Sequence, residues 1–275
     1  MSRVLWIAVI ALLSCWTAPA KAEEPVTFHG FWMLTADSSS NKLSDHTRWI
    51  VSADLNKDLT ATVSVTPRGP LRTFSYGELQ WKKPIKGIDQ IAVGRSFPPF
   101  GRIWYDYRVD QVPVIYYSDI YVPLAATDTG VTVTGSTGRT KWYAGTYVGD
   151  PEFGNELGAS SVIRAEYRVT SALTLATSQR ISQTPAHGAD LLYKSGRMTA
   201  IGELVSSDGV TQYLALGEYR VTKHTYLSLQ HEWLEAGDRW TVAPRWDITK
   251  NATIKVGYQT GANTSRLIGQ VGFHW

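Results

Sequence analysis

From about residue 160 onward the chain alternates apolar and polar positions in short runs separated by tight links. Ile163, Ala165, Tyr167 and Val169 alternate with Arg164, Glu166 and Arg168. The same period of two continues through Leu173–Arg180, His187–Lys194, Met198–Val205, Gln212–Tyr219, Leu227–Glu232, Arg239–Ile248, Ala252–Gln259 and Ser265–Trp275. A period of two places one set of side chains on each face of an extended strand. The links Tyr167-Arg-Val-Thr-Ser, Tyr219-Arg-Val-Thr-Lys and Trp246-Asp-Ile-Thr-Lys are variants of one short turn. Earlier in the chain, strands are predicted at Phe28–Thr35, Trp49–Leu55, Leu59–Val65, Thr73–Lys82, Ile88–Arg95, Gly130–Gly135 and Lys141–Val148. The pattern therefore predicts an all-β chain of about sixteen antiparallel strands, or about fourteen if His187–Lys194 and the segment near Gly130 drop out. Pro244 lacks the N–H that a ladder needs, so a bulge is expected there. Longer connections are expected at Asp37–Ser44, Gly149–Ser160, Gln183–Ala189 and Ser206–Val210, all at one end.

The final strand sharpens the class. Leu267, Gly269, Val271, Phe273 and Trp275 share one face, and Arg266, Ile268, Gln270, Gly272 and His274 share the other. An alternating last strand ending on an aromatic residue resembles the closing strand of bacterial outer-membrane barrels. That resemblance implies a transmembrane antiparallel β-barrel, with Phe273 and Trp275 as its signal to the barrel assembly machinery and outer-membrane lipid around it.

Between Arg95 and Gly130 the alternation fails. This stretch is rich in proline and tyrosine and contains few turn residues. A long segment without strands inside a compact fold is usually functional or disordered, and its aromatic content argues for the former. The residues Gly94-Arg-Ser-Phe-Pro-Pro-Phe-Gly101, Asp128-Thr-Gly-Val-Thr-Val-Thr-Gly135 and Trp142-Tyr-Ala-Gly145 resemble the phosphate-selective porin O and P family. The resemblance is clearest over residues 88–150. It implies a sixteen-stranded homotrimeric porin whose third loop folds inward. The chain is shorter than that family's usual members and shows no dense run of arginine and lysine. Porin architecture therefore carries over better than phosphate selectivity.

Composition narrows the setting. Residues 1–22 read as a signal peptide: Arg3, then the apolar run Val4–Leu13, then Ala20-Lys21-Ala22 as a cleavage site. Residues 23–275 are then the barrel. Cys15, the single cysteine, lies in that leader, so thiol chemistry is not expected beyond it. The formal net charge is +3, and the leader's Arg3 and Lys21 supply most of it. That near balance argues against nucleic-acid binding. Beyond the leader's Trp6 and Trp16, nine of the 11 Trp remain, and with the 14 Tyr they fit aromatic girdles at two bilayer edges.

If the apolar phase faces lipid, the interior receives Arg48, Arg164, Arg168, Arg180, Arg239, Arg245, Lys255 and Arg266. It also receives Asp54, Glu166, Glu203, Glu218, Glu232 and Asp247. Arg95 and the inward segment would add Arg102, Tyr105, Tyr107, Arg108, Asp110, Tyr116, Tyr117 and Asp119 as a constriction. Charged rings of both signs set ion preference, and the small excess of bases predicts a weak anion preference. Alternatively, many of these arginines neutralise acids and hold the segment to the wall. No nucleophile–base motif, cofactor fingerprint or metal-ligand spacing is found, so catalysis, a cofactor and a metal site are not expected. The chain reads as a porin passing small hydrophilic solutes, inorganic anions among them. A plugged structural or adhesin-type barrel is the alternative, and an outer-membrane enzyme a more distant one.

Overall fold

A computed structural model describes residues 26–39, 42–66, 74–106, 113–114, 127–149, 158–261 and 264–275. The leader, residues 1–22, lies outside them. The described chain forms one closed barrel of sixteen strands, each paired antiparallel to its sequence neighbours, so the fourteen-strand alternative does not hold. The strands are β1 (Val26–Asp37), β2 (Lys42–Asn56), β3 (Leu59–Val65), β4 (Phe74–Ile85), β5 (Ile88–Ser96), β6 (Asp128–Thr137), β7 (Thr140–Tyr147) and β8 (Ser160–Arg168). They continue as β9 (Leu173–Ile181), β10 (Ala186–Ser195), β11 (Met198–Ser207), β12 (Val210–Arg220), β13 (Thr225–Leu234), β14 (Gly237–Thr249), β15 (Ala252–Gly261) and β16 (Thr264–His274). One helical turn, α1 (Ile103–Asp106), lies between β5 and β6. Closure is made by β16 against β1, from Phe31↔His274 to Asp37↔Ile268. The backbone of Gly30 and Trp275 extends it with a reciprocal pair of hydrogen bonds, 3.1 and 3.2 Å. Closure leaves no strand edge unpaired.

The two faces separate by phase. Leu175, Leu191, Tyr213, Leu229, Trp233, Val242, Tyr258, Leu267 and Phe273 are exposed on the outer face. Their neighbours in the other phase, among them Ser178, Asp190, Leu214, Gln230, Thr241 and Gln270, are buried inside. The outer face of the closing strand is the predicted one, with Phe273 stacked on Trp32 at 5.7 Å.

At one end every link is short: Lys57-Asp58, Lys86-Gly87, Gly138-Arg139, Val169–Ala172, Gly196-Arg197, Val221–His224 and Lys250-Asn251. At the other end, the long connections are 66–73, 97–127 and 148–159. Three of the four expected long loops are shorter than expected. Ser206–Val210 is a two-residue turn in which Asp208 and Gly209 take φ of 52° and 78°. Two consecutive positive φ values match the twist of a tight hairpin and need no extra length. Within Gln183–Ala189, β10 has already begun at Ala186, and within Asp37–Ser44, β2 begins at Lys42. Gly149–Ser160 does lie in a long connection. Pro244 is not a bulge either. It pairs in register with Leu227 on β13. Pairing to β15 lapses at Ala243 and Pro244 and resumes in the same register at Arg245↔Lys255. The missing N–H therefore falls in that gap, and the register shift lies beyond it, between Asp247 and Thr249.

Candidate functional site

The segment after β5 turns into the barrel and docks on its inner wall. Phe100, Ile103 and Val114 are buried in one cluster with Tyr147, Val162, Ala186, Ile201, Val205, Leu214 and Leu216. Those wall residues lie on the inner phase of β7, β8 and β10–β12. Each apolar anchor is worth about 1.5–3 kcal/mol when taken out of water. Gly188 makes room for the first of them, since a Cβ there would sit 3.1 Å from the Phe100 ring.

A polar clamp sits beside this contact. Arg102 reaches from the segment to Asp190 (Nε–Oδ1, 3.0 Å) and Glu166 (Nη1–Oε1, 3.4 Å). The backbone N–H groups of Arg102 and Ile103 donate to Glu203 Oε1, the latter at 2.8 Å. From β8, Arg164 makes two bonds to Asp190, at 2.6 and 3.1 Å. It also donates to Glu166 (3.0 Å) and Ser178 (2.8 Å). Its side chain is fully buried, 0% exposed. Charges this deep are tolerable because each is paired and hydrogen-bonded. Period two explains the set: Glu166, Ala176, Asp190 and Glu203 follow one another across β8–β11 on the inner phase.

Toward the long-loop end, Arg180 is different. It is 6% exposed, on the inner phase of β9, and forms no hydrogen bond or ion pair with the described residues. Asp128, which accepts N–H bonds from Thr129 (2.8 Å) and Gly149 (3.1 Å), is the acid whose charge it feels. Arg95 also feels that charge. By register Arg95 shares the outer phase of Val93. Gly94 between them takes φ of 137°, and a Cβ there would lie 2.3 Å from the Gly77 carbonyl oxygen. Arg95 is nevertheless buried, with Nη2 donating to Thr127 O at 3.0 Å.

The remaining wall carries separate pairs. Arg239 meets Glu232 at 2.6 Å. Arg245 meets Glu218 at 3.1 Å and Asp247 at 3.3 Å, and lies 3.9 Å over the Tyr226 ring. Arg266 meets Asp37 at 2.9 Å and Gln259 at 2.8 Å. Lys255 is buried beside Gln270 in register.

The expected inner residues Arg48, Arg164, Arg168, Arg180, Arg239, Arg245, Lys255 and Arg266 all occupy the inner phase. Arg102 lies in the clamp, and Tyr105 packs edge-on against Tyr143 at 5.4 Å. Tyr107, Arg108, Asp110, Tyr116, Tyr117 and Asp119 lie outside the described residues. Sequence reasoning missed Asp190 and Ser178 as clamp residues. Their phase, opposite to Leu175, Thr177, Ala189 and Leu191, was the signal that could have found them.

No protein-family profile matches the chain, and no curated protein sequence does. Solved structures do resemble it. A mutant of the Rh. blastica porin superposes with a TM-score of 0.64 at 12% identity, covering 91% of this chain and 100% of that one. The trimer form of OmpT, an outer membrane protein of Vibrio cholerae, gives 0.67 at 12%, covering 92% and 99%. A loop-deletion mutant of OmpT gives 0.62 at 11% over similar shares. At these identities the likeness is one of fold: this chain has the architecture of the bacterial porins.

Proposed function

We propose that this chain is a bacterial outer-membrane porin, passing small hydrophilic solutes by passive diffusion through a lumen narrowed by the segment between β5 and β6. The observation that carries this reading is a sixteen-stranded barrel with an apolar outside, a charged inside, and a segment docked within. The exposed outer aromatics and aliphatics would be a solubility hazard in water and suit a bilayer. A sixteen-stranded barrel is wide enough for an aqueous path, which a docked segment narrows without a helix having to span the membrane. Inner bases such as Arg180 support a weak anion preference, inorganic anions included. A homotrimer is supported by the trimer form of the Vibrio cholerae neighbour. Kinship with the phosphate-selective porin O and P family rests on the three motifs, of which Gly94 and Asp128 shape the long-loop mouth. This reading includes no catalytic step.

The test is conductance. Purified protein refolded in detergent is added to a planar bilayer, and stepwise current is expected. In a tenfold salt gradient, the sign of the reversal potential reports ion preference, and cation preference would refute the anion part. One observation favours a plugged barrel: Glu232 is 0% and Lys255 2% exposed, on the wall away from the clamp. Well-folded, heat-modifiable protein that gives no steps would decide for that second reading.

A further inference from the structure

Among the described residues, the two mouths of the barrel differ in exposed charge. At the short-turn end, Arg168, Lys194 and Arg220 close strands β8, β10 and β12, all exposed, and none has an ion-pair partner among the described residues. Each follows an aromatic that faces outward: Tyr167, Tyr193 and Tyr219 are among the exposed large side chains. The register then gives the base the inner phase. Arg168 continues the line of Arg164 and Glu166, and pairs with Thr174. Lys194 continues that of Asp190 and Leu192, and pairs with Thr199. Arg220 continues that of Leu216 and Glu218, and pairs with Tyr226. The aromatic thus meets the bilayer edge while the base rims the aqueous opening.

The turns add Lys57, Lys86, Arg139, Arg197, Lys223 and Lys250, all exposed. The acids at this rim are Asp54, Asp58, Asp89 and Asp247, with Glu166 and Glu218 one inner-phase step deeper than Arg168 and Arg220. Asp54 is paired with Lys82 at 3.2 Å and Asp247 with Arg245. At the opposite mouth the exposed charged side chains, among those described, are Asp208, Glu235 and Asp238.

We propose that the short-turn mouth is an anion-recruiting vestibule that docks multivalent anions, solutes carrying several phosphate or carboxylate groups. This rests on the reading of the barrel as an aqueous pore. Strands lie about 4.8 Å apart, so bases on successive hairpins stand about 10 Å from one another. That is about one Debye length at 0.1 M salt, so their potentials overlap into one positive ring. A multivalent anion engages several of them at once, which a monovalent anion cannot do. The short turns mark the periplasmic side of outer-membrane barrels, so the ring would face the periplasm. Lipid phosphate is the less suitable occupant, because register points the three strand-end bases toward the opening rather than the bilayer.

The test uses the full refolded protein and a triple variant, Arg168→Gln with Lys194→Gln and Arg220→Gln. Inositol hexakisphosphate serves as the multivalent probe and inorganic phosphate as the simple one. Calorimetric titration at about 0.01 M salt, where screening reaches about 30 Å, should show saturable hexakisphosphate binding. Binding should vanish near 1 M, where screening falls to about 3 Å, and weaken about tenfold or more in the variant. In bilayers, the probe should block current from one side only. The open-channel current at about 0.1 M salt should differ about twofold between polarities and even out near 1 M. Retained heat-shifted gel mobility establishes that the variant is folded. Absence of binding at low salt, equal block from both sides, or unchanged binding by the folded variant overturns the proposal. A silent bilayer overturns the pore reading alone, and the titration then decides whether the ring takes anions.

Discussion

On the wall formed by β8–β11, Arg164 and the incoming Arg102 share Glu166 and Asp190, while Glu203 takes two backbone N–H groups of the incoming segment. On the wall from β13 through β16 to β1, each arginine meets an acid on its own or an adjacent strand, as in Arg239–Glu232 and Arg266–Asp37. Similar charges serve two purposes. The first wall is a clamp, because its network holds a segment distant in sequence and excludes water around it. The second is a lining of local pairs, of which Arg266–Asp37 keeps contact with solvent while Arg239–Glu232 is buried.

The comparison is most open to refutation at Asp190. Asp190→Ala leaves two buried guanidiniums without their shared carboxylate, and should destabilise the barrel by about 3–5 kcal/mol. The readout is the urea midpoint of the heat-modifiable form, and an unchanged midpoint would remove the clamp from the account. Ile103→Ala empties a fully buried site in the docked segment. It should cost about 2 kcal/mol, the lower end for such truncations because a short loop can relax into the gap. Single-channel conductance should rise with it; a stable protein with unaltered conductance would mean that docking does not set the bore.

Arg180→Gln removes a buried charge that has no ion-pair partner among the described residues. Stability should hold or rise by up to about 1 kcal/mol, since an unpaired buried charge costs solvation. The reversal potential in a salt gradient should move toward cations. Loss of stability would show that Arg180 is structural and belongs with the clamp. The smallest effect is expected for Arg266→Gln, whose pair keeps solvent access, at under about 1 kcal/mol. A cost matching that of Asp190→Ala would erase the distinction between the two walls.

Much of the barrel was legible because a strand's phase is local. Leu267, Phe273 and Trp275 declare the outer face, and Arg164 and Glu166 the inner one, without reference to any partner. Turn chemistry was harder to read: Asp208-Gly209 looked like part of a loop, yet its left-handed pair closes a tight hairpin. Pro244 looked like a break, yet a gap on one side of its strand accommodates the missing donor. Leu214 and Leu216 share the inner phase of Glu218 by alternation, yet nothing local marks them as the floor on which Phe100 and Ile103 rest.

Period two and the tight links therefore determined, from sequence alone, an even-stranded barrel, its two faces and the point where alternation stops. Tertiary structure decided what that interruption does. Arg102 and Asp190 stand 88 residues apart, and Arg102 and Glu203 101. Such pairings depend on how many strands close the barrel and at what register, which is a property of the whole sheet. Local pattern can say that an arginine faces inward. Only closure brings the acid to it, and only closure leaves Arg180 without one among the described residues.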